Sequence, residues 1–138
     1  MESLVCYLSP EPRDIEQAGK QICASFILKS TEQDFRIPSQ YLSECQKHPY
    51  EKRILDIDVD NKEKYSLVME AIQVAKVIPK FVIESRGGYH ILCYDLGKHQ
   101  NAMLHEAMKK IGDVDMLKNA LIPIPGTFQG GIKVNWVQ

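Results

Sequence analysis

Seven residues near the middle of the chain, Arg53-Ile54-Leu55-Asp56-Ile57-Asp58-Val59, constrain the fold more than any other feature. Successive side chains of a strand point to opposite faces. Leu55, Ile57 and Val59 therefore share one face, and Ile54, Asp56 and Asp58 share the other. The apolar face has to be buried against a second layer, so this strand belongs to a sheet covered on that side. On the opposite face two carboxylates stand about 6.5–7 Å apart along the backbone. Such a pair is either solvated and ion-paired with Lys or Arg, or it converges on a hard divalent cation.

The segments that follow have readable periods. Asn61 is placed to cap a helix over about 62–76, where Leu67, Val68, Ala71, Ile72 and Ala75 recur at helical spacing. Lys80 to Glu84 and Tyr89 to Tyr94 read as strands joined by the Arg86-Gly87-Gly88 turn. Leu104, Ala107, Met108 and Ile111 mark a second helix over about 98–111, stopped by Gly112. Ala120 to Ile124 is a further apolar run, and Ile132 to Val137 reads as a closing strand. The order over about 53–124 is thus β-α-β-β-α-β, the order of a ferredoxin-like or RRM-like α+β core. In that arrangement the strand of Asp56 and Asp58 neighbours the strand of His90.

The first 52 residues read as an α/β extension of one domain spanning 1–138, with the core at 53–138. Val5 to Leu8 suggests a short strand broken by Pro10 and Pro12, and Asp14 to Lys20 a short helix, with Gly19 counting against it. Ile22 to Leu28 reads as a strand, and Pro38 to Gln46 as a helix with proline at its first position.

With 138 residues, 44% hydrophobic and 25% charged, the chain has the make-up of one globular domain rather than a disordered or fibrous one. A net charge of −1 gives no general attraction to nucleic acid or to an anionic membrane and leaves only local basic patches for such contacts. Cys6, Cys23, Cys45 and Cys93 are too widely spaced for a zinc knuckle or a redox CxxC pair, and scattered thiols favour a reducing compartment. Met1-Glu2-Ser3 lacks the start of a signal peptide, and no apolar run approaches the roughly 20 residues of a membrane span. An intracellular location without membrane association is expected, cytoplasmic in a prokaryote, with nuclear and organellar placement left open.

Two further segments carry groups suited to a phosphorylated ligand. In Ser85-Arg86-Gly87-Gly88-Tyr89-His90 a hydroxyl, a guanidinium and a glycine turn precede a histidine. Backbone N–H groups of such a turn can cradle an anion, Arg86 can pair bidentately with phosphate, and His90 can donate to it. The plainer alternative is a hairpin whose glycines take positive φ. In Pro123-Ile124-Pro125-Gly126-Thr127-Phe128-Gln129-Gly130-Gly131-Ile132-Lys133-Val134, a turn presents Thr127, Gln129 and Lys133, or simply closes the sheet.

Taken in order, Ile54-Leu55-Asp56-Ile57-Asp58, Ser85 to His90, and Pro125-Gly126-Thr127 resemble the motifs of the archaeo-eukaryotic primase superfamily. The resemblance covers residues 53–134. It implies a primase-type nucleotidyltransferase that uses two magnesium or manganese ions to add nucleotides to a nucleic-acid strand. Asp56 and Asp58 would ligate metal, joined by a third acid for which Asp113 and Asp115 are the candidates and Asp115 the preferred one. Ser85, Arg86, Gly87, His90, Thr127 and Lys133 would contact the nucleotide. The implied partners are a nucleoside triphosphate, a DNA or RNA template or primer, and a helicase or larger replication subunit. The chain departs from the family at Ile122-Pro123-Ile124, where arginine is common, and at Gly131, where lysine is common. A catalytically inactive primase-like module that binds nucleic acid or a protein is the second reading, and a metal-dependent nuclease using the same acids is the third.

Overall fold

The computed structural model describes residues 6–10, 13–29, 37–48, 53–118 and 120–137. The elements in chain order are β1 (Tyr7–Leu8), α1 (Ile15–Lys29), α2 (Ile37–Lys47), β2 (Ile54–Val59), α3 (Tyr65–Val74), β3 (Phe81–Glu84), β4 (Tyr89–Tyr94), α4 (Lys98–Ile111), β5 (Val114–Lys118), β6 (Ile122–Pro123), β7 (Phe128–Gln129), β8 (Ile132–Lys133) and β9 (Asn135–Trp136). The chain is a mixed α+β protein built as two compact units, Met1–Pro10 with Arg53–Gln138, and Glu11–Lys52. Of the N-terminal residues, Tyr7–Leu8 pair with Ile122–Pro123 within the larger unit. Among the described residues no helix is long and apolar enough to cross a membrane.

In the smaller unit α1 and α2 pack on each other. Asp14 caps α1, its carboxylate accepting from the Gln17 N–H at 2.8 Å. The Asp14 N–H donates to the His48 carbonyl at 2.8 Å, and Arg13 donates to the Gln46 carbonyl at 3.1 Å, which ties the start of α1 to the end of α2. The strand expected over Ile22 to Leu28 is instead the second half of α1. A short run of β-branched and aromatic residues fits a buried strand or a helix equally well. The helix wins because Ala18 and Ile22, four residues apart, form its buried stripe, while Gly19 sits inside it with open space around its Cα.

The larger unit is organised by a five-stranded sheet of order β5-β2-β4-β3-β9, antiparallel at every pairing. Leu55, Ile57 and Val59 of β2 and Ile91 and Cys93 of β4 pack against Val68 and Ile72 of α3 and Leu104 and Met108 of α4. The apolar alternation of β2 thus meets the helices as its pattern requires. Asn61 caps the 3-10 turn Lys62–Lys64 that leads into α3, its side chain accepting from the Glu63 N–H at 3.0 Å. Gly112, at φ 72°, ends α4 in a conformation that favours glycine.

The strand that completes the β-α-β-β-α-β order is β5, not the apolar run at 120–124. Val114 and Met116 pack toward the helices and alternate with Asp115 and Leu117. Ile122–Pro123 pairs with β1, with Tyr7 opposite Pro123 and Leu8 opposite Ile122. Of the strand expected over Val5 to Leu8, Tyr7–Leu8 is observed and Val5 lies outside the described residues. The closing strand splits in two at Val134, whose backbone bonds back to Thr127 and Gly126, so β8 pairs with β7 and β9 with β3. Ile54, Ile83, Leu92, Ile122 and Val134 form a second apolar cluster on the sheet face away from the helices. That face is consequently half covered.

Candidate metal and phosphate site

Asp56 and Asp58 lie on the face away from the helices. In the register, Asp58 stands opposite His90 on β4 and opposite Asp115 on β5. His90 Nδ1–H donates to Asp56 Oδ2 at 3.0 Å and lies 3.6 Å from Asp58 Oδ1. One ligand atom from each of Asp56, Asp58 and His90 falls within 4.8 Å of the others, a set that could hold a metal ion. The two carboxylates suit a hard divalent cation, with His90 beside them. Asp56 is the most deeply buried of the three. It is 1% exposed, and among the described residues its buried Oδ1 has no hydrogen-bond partner. A buried carboxylate oxygen without a donor is costly, and a cation at that oxygen would remove the cost. The residues fit the ion.

Electrostatics at the site run the same way. Burial, reinforced by the charges of Asp56, Asp60 and Asp115 and opposed by His90, pushes the Asp58 carboxyl up to about 6. Burial on its own would lower the His90 pKa, but the hydrogen bond to Asp56 and the charges of Asp56, Asp58 and Asp60 outweigh it and raise it. Cys93, below the same strands on the helix side, is buried, and burial followed by the charges of Asp56 and Asp95 pushes its thiol up to about 11, so it remains a core thiol.

The turn before β4 fixes His90. The Ser85 N–H donates to the Gly88 carbonyl at 2.9 Å, and the buried Ser85 hydroxyl both donates to that carbonyl and accepts from the Gly88 N–H at 3.3 Å. The Ser85 hydroxyl is therefore spent on its own turn. Neither Gly87 nor Gly88 has positive φ. Gly88 is needed for close approach instead, because a Cβ there would overlap the Val59 carbonyl. Gly87 is exposed with open space around it.

Arg86 is exposed, and its backbone N–H donates to Gln129 Oε1 at 3.0 Å, while Gln129 Nε2 donates to the Tyr7 hydroxyl at 2.9 Å. The Arg86 guanidinium lies against Gly130, where a Cβ would collide with it. Gln129 thereby brings the β7–β8 hairpin to the Ser85–Gly88 turn. Thr127 closes the Pro125-Gly126 turn by donating to the Ile124 carbonyl at 2.7 Å, and Lys133 is exposed on β8.

Of the two candidates for a third acid, Asp113 is ion-paired with Lys64 at 2.7 Å, whereas Asp115 is exposed and faces Asp58 across β2 and β5. Asp115 stays outside the tight three-residue set. Sequence spacing did not reveal Lys64. Its ammonium donates to the Ile111 carbonyl at 3.0 Å, the Gly112 carbonyl at 3.1 Å and Asp113, closing the end of α4 from 47 to 49 residues away. Compared with family models, with curated proteins and with solved structures, the chain matches none.

Proposed function

We propose that this chain is a primase-like nucleotidyltransferase domain that binds a nucleoside triphosphate with a divalent cation and acts on a nucleic-acid strand. The observation that carries the reading is the meeting of Asp56, Asp58 and His90 on one sheet face, with Asp115 beside Asp58. The sheet order supports it as well, because a β-α-β-β-α-β unit with its first and third strands central is the ferredoxin-like arrangement expected of such a core.

Asp56 and Asp58 would hold the ion, with Asp115 the nearest further carboxylate by register. Magnesium or manganese, when bound, neutralises phosphate charge and makes a hydroxyl a better nucleophile. Asp56 fixes the His90 ring through Nδ1, which leaves Nε2 to donate to a phosphate oxygen. The raised pKa of His90 favours the doubly protonated ring that such a donor requires. Arg86, anchored through its backbone on Gln129, presents a second cation at the neighbouring turn.

The test is manganese-dependent binding of a labelled nucleoside triphosphate, followed by extension of a primed template. Both should be lost in Asp58→Asn and in the double variant Asp56→Ala, Asp58→Ala. Triphosphate binding that ignores manganese and both acids would sink the reading. A second reading, an inactive module of the same fold, draws on the near-complete burial of Asp56 and its internal bond to His90. Metal-independent nucleic-acid binding retained by the double variant would select it. Metal-dependent strand cleavage without triphosphate would select a nuclease.

A further inference from the structure

The sheet register sets five side chains in one row across the face away from the helices. Asp115, Asp58, His90, Ile83 and Trp136 follow one another across β5, β2, β4, β3 and β9. Beside it runs a second row of Leu117, Asp56, Leu92 and Phe81. The first row is acidic at one end and aromatic at the other. The aromatic end opens on a cavity of about 200 Å³ whose wall includes Ile54, Phe81, Ile83, Leu92, Ile122 and Trp136. Ile54 precedes Asp56 by two residues on the same strand face, Leu92 stands directly across from Asp56, and Ile83 stands across from His90. The cavity therefore adjoins the acid–imidazole site.

We propose that this cavity receives the base ring of a nucleotide whose charged end lies at Asp58 and His90, an inference that rests on the nucleotide reading above. An apolar cavity of roughly 150 Å³ stays dry and accepts a ring of benzene's size, so the space here suits a flat heterocycle. Phe81 and Trp136 offer ring faces for stacking, their centroids 5.1 Å apart and their planes 39° from parallel. Trp136 is 55% exposed, so the cavity reaches solvent beside the indole. Among the described residues, Lys80 is the one charged residue in the wall. Its ammonium gives one proton to the Tyr94 hydroxyl at 2.6 Å, leaving donors for acceptor atoms on a ring edge. From Asp58 to Trp136 the row crosses three interstrand steps, about 14 Å in all, a span suited to an extended nucleotide. An aliphatic ligand would use neither Lys80 nor the charged end of the row.

Trp136 is the single tryptophan of the chain, so its emission reports on the cavity directly. The full chain is titrated with adenosine triphosphate plus manganese, with adenosine alone, and with inorganic tripolyphosphate plus manganese. Both ring-bearing ligands should shift the Trp136 emission, and tripolyphosphate should compete with the nucleotide without shifting it. Ile122→Phe, which fills the cavity, should weaken nucleotide binding about tenfold or more while manganese binding, read by electron paramagnetic resonance, is retained. Ile124→Phe, on the same wall, replaces it if Ile122→Phe loses a cooperative melt. Manganese and tripolyphosphate binding with no emission change on adding either ring ligand would overturn the cavity assignment and leave the nucleotide reading standing. An emission shift with adenosine in a protein that binds no manganese would keep the cavity assignment and remove the metal reading. No binding of any probe would overturn both.

Discussion

His90 hydrogen-bonds the diagonal carboxylate, Asp56 at 3.0 Å, rather than its register partner Asp58, which lies 3.6 Å away. The diagonal neighbour across an antiparallel pair lies within reach of a long side chain. Here it is also the buried one, so the bond goes where an unpaired charge would be most expensive. Asp58 is left as the more accessible carboxylate of the two.

Removing Asp56 strands the imidazole. Asp56→Ala should cost about 3 kcal/mol in urea denaturation, because a buried ion-paired partner loses its counterpart. His90→Gln, which keeps a donor toward Asp56, should cost clearly less. Equal losses in the two variants would mean that the pair contributes volume rather than charge.

Stability should fall as pH rises wherever no cation is present. The folded-state pKa of Asp58, about 6, lies above its ordinary 3.8, so the folded protein holds that proton more tightly than the unfolded chain does. The contribution is intact below about pH 4 and is lost as pH rises through about 6. His90 is also raised, so its contribution is intact below its ordinary 6.5 and disappears as pH rises through the higher folded value. Both act in one direction. Thermal midpoints without metal should decline between about pH 5 and pH 8, and manganese should flatten the decline by replacing protons with a cation. Asp58→Asn should raise the midpoint in the upper half of that window while abolishing the manganese effect. A metal-free midpoint that climbs across the window would contradict the assignment.

Gly88→Ala should be among the most damaging single-methyl additions in the chain. The new Cβ would meet the Val59 carbonyl and the Asp60 backbone, so β2 and the turn before β4 must separate. A loss of about 2–3 kcal/mol is expected, with His90 displaced from the acids and manganese affinity reduced. Gly87→Ala, one residue earlier in open space, is the control and should melt near the wild-type midpoint.

Lys64→Met should loosen β5 before it loosens the rest of the sheet. The lysine joins the last carbonyls of α4 to Asp113, next to the strand that carries Asp115. A cost of about 1 kcal/mol is expected, since part of the contact is exposed. Amide exchange should accelerate first in Val114–Lys118. Uniform acceleration through β4 as well would show that Lys64 supports the whole sheet rather than its edge.

The legible parts of the sequence were those whose signals are local. The alternation of Arg53 to Val59 gave both faces of β2, and Asn61 and Gly112 marked real helix ends. The strand at Tyr89–Tyr94 and the turn before it then placed His90 beside Asp58. What escaped depends on contacts far apart in the chain. Ile122 and Pro123 look like a sheet strand in isolation, yet their partners are Tyr7 and Leu8. Val114–Lys118 carries three charged or exposed positions in five and announces itself only through Val114 and Met116 under the helices. The choice between Asp113 and Asp115 turns on Lys64, which no spacing rule connects to either. Ile22 to Leu28 failed for another reason, since its composition fits either structure and only packing decides.

The pairing of Tyr7–Leu8 with Ile122–Pro123 changes where this polypeptide can be cut. A fragment beginning at Arg53 would look complete by its strand count, yet it would discard the partner of β6 together with Leu8 and Pro10 from the cavity wall. Ile122 would lose its cover and the ring-sized space would open. A version that keeps the first ten residues and bridges from Pro10 to Arg53 with a flexible linker retains every strand of the sheet-bearing unit.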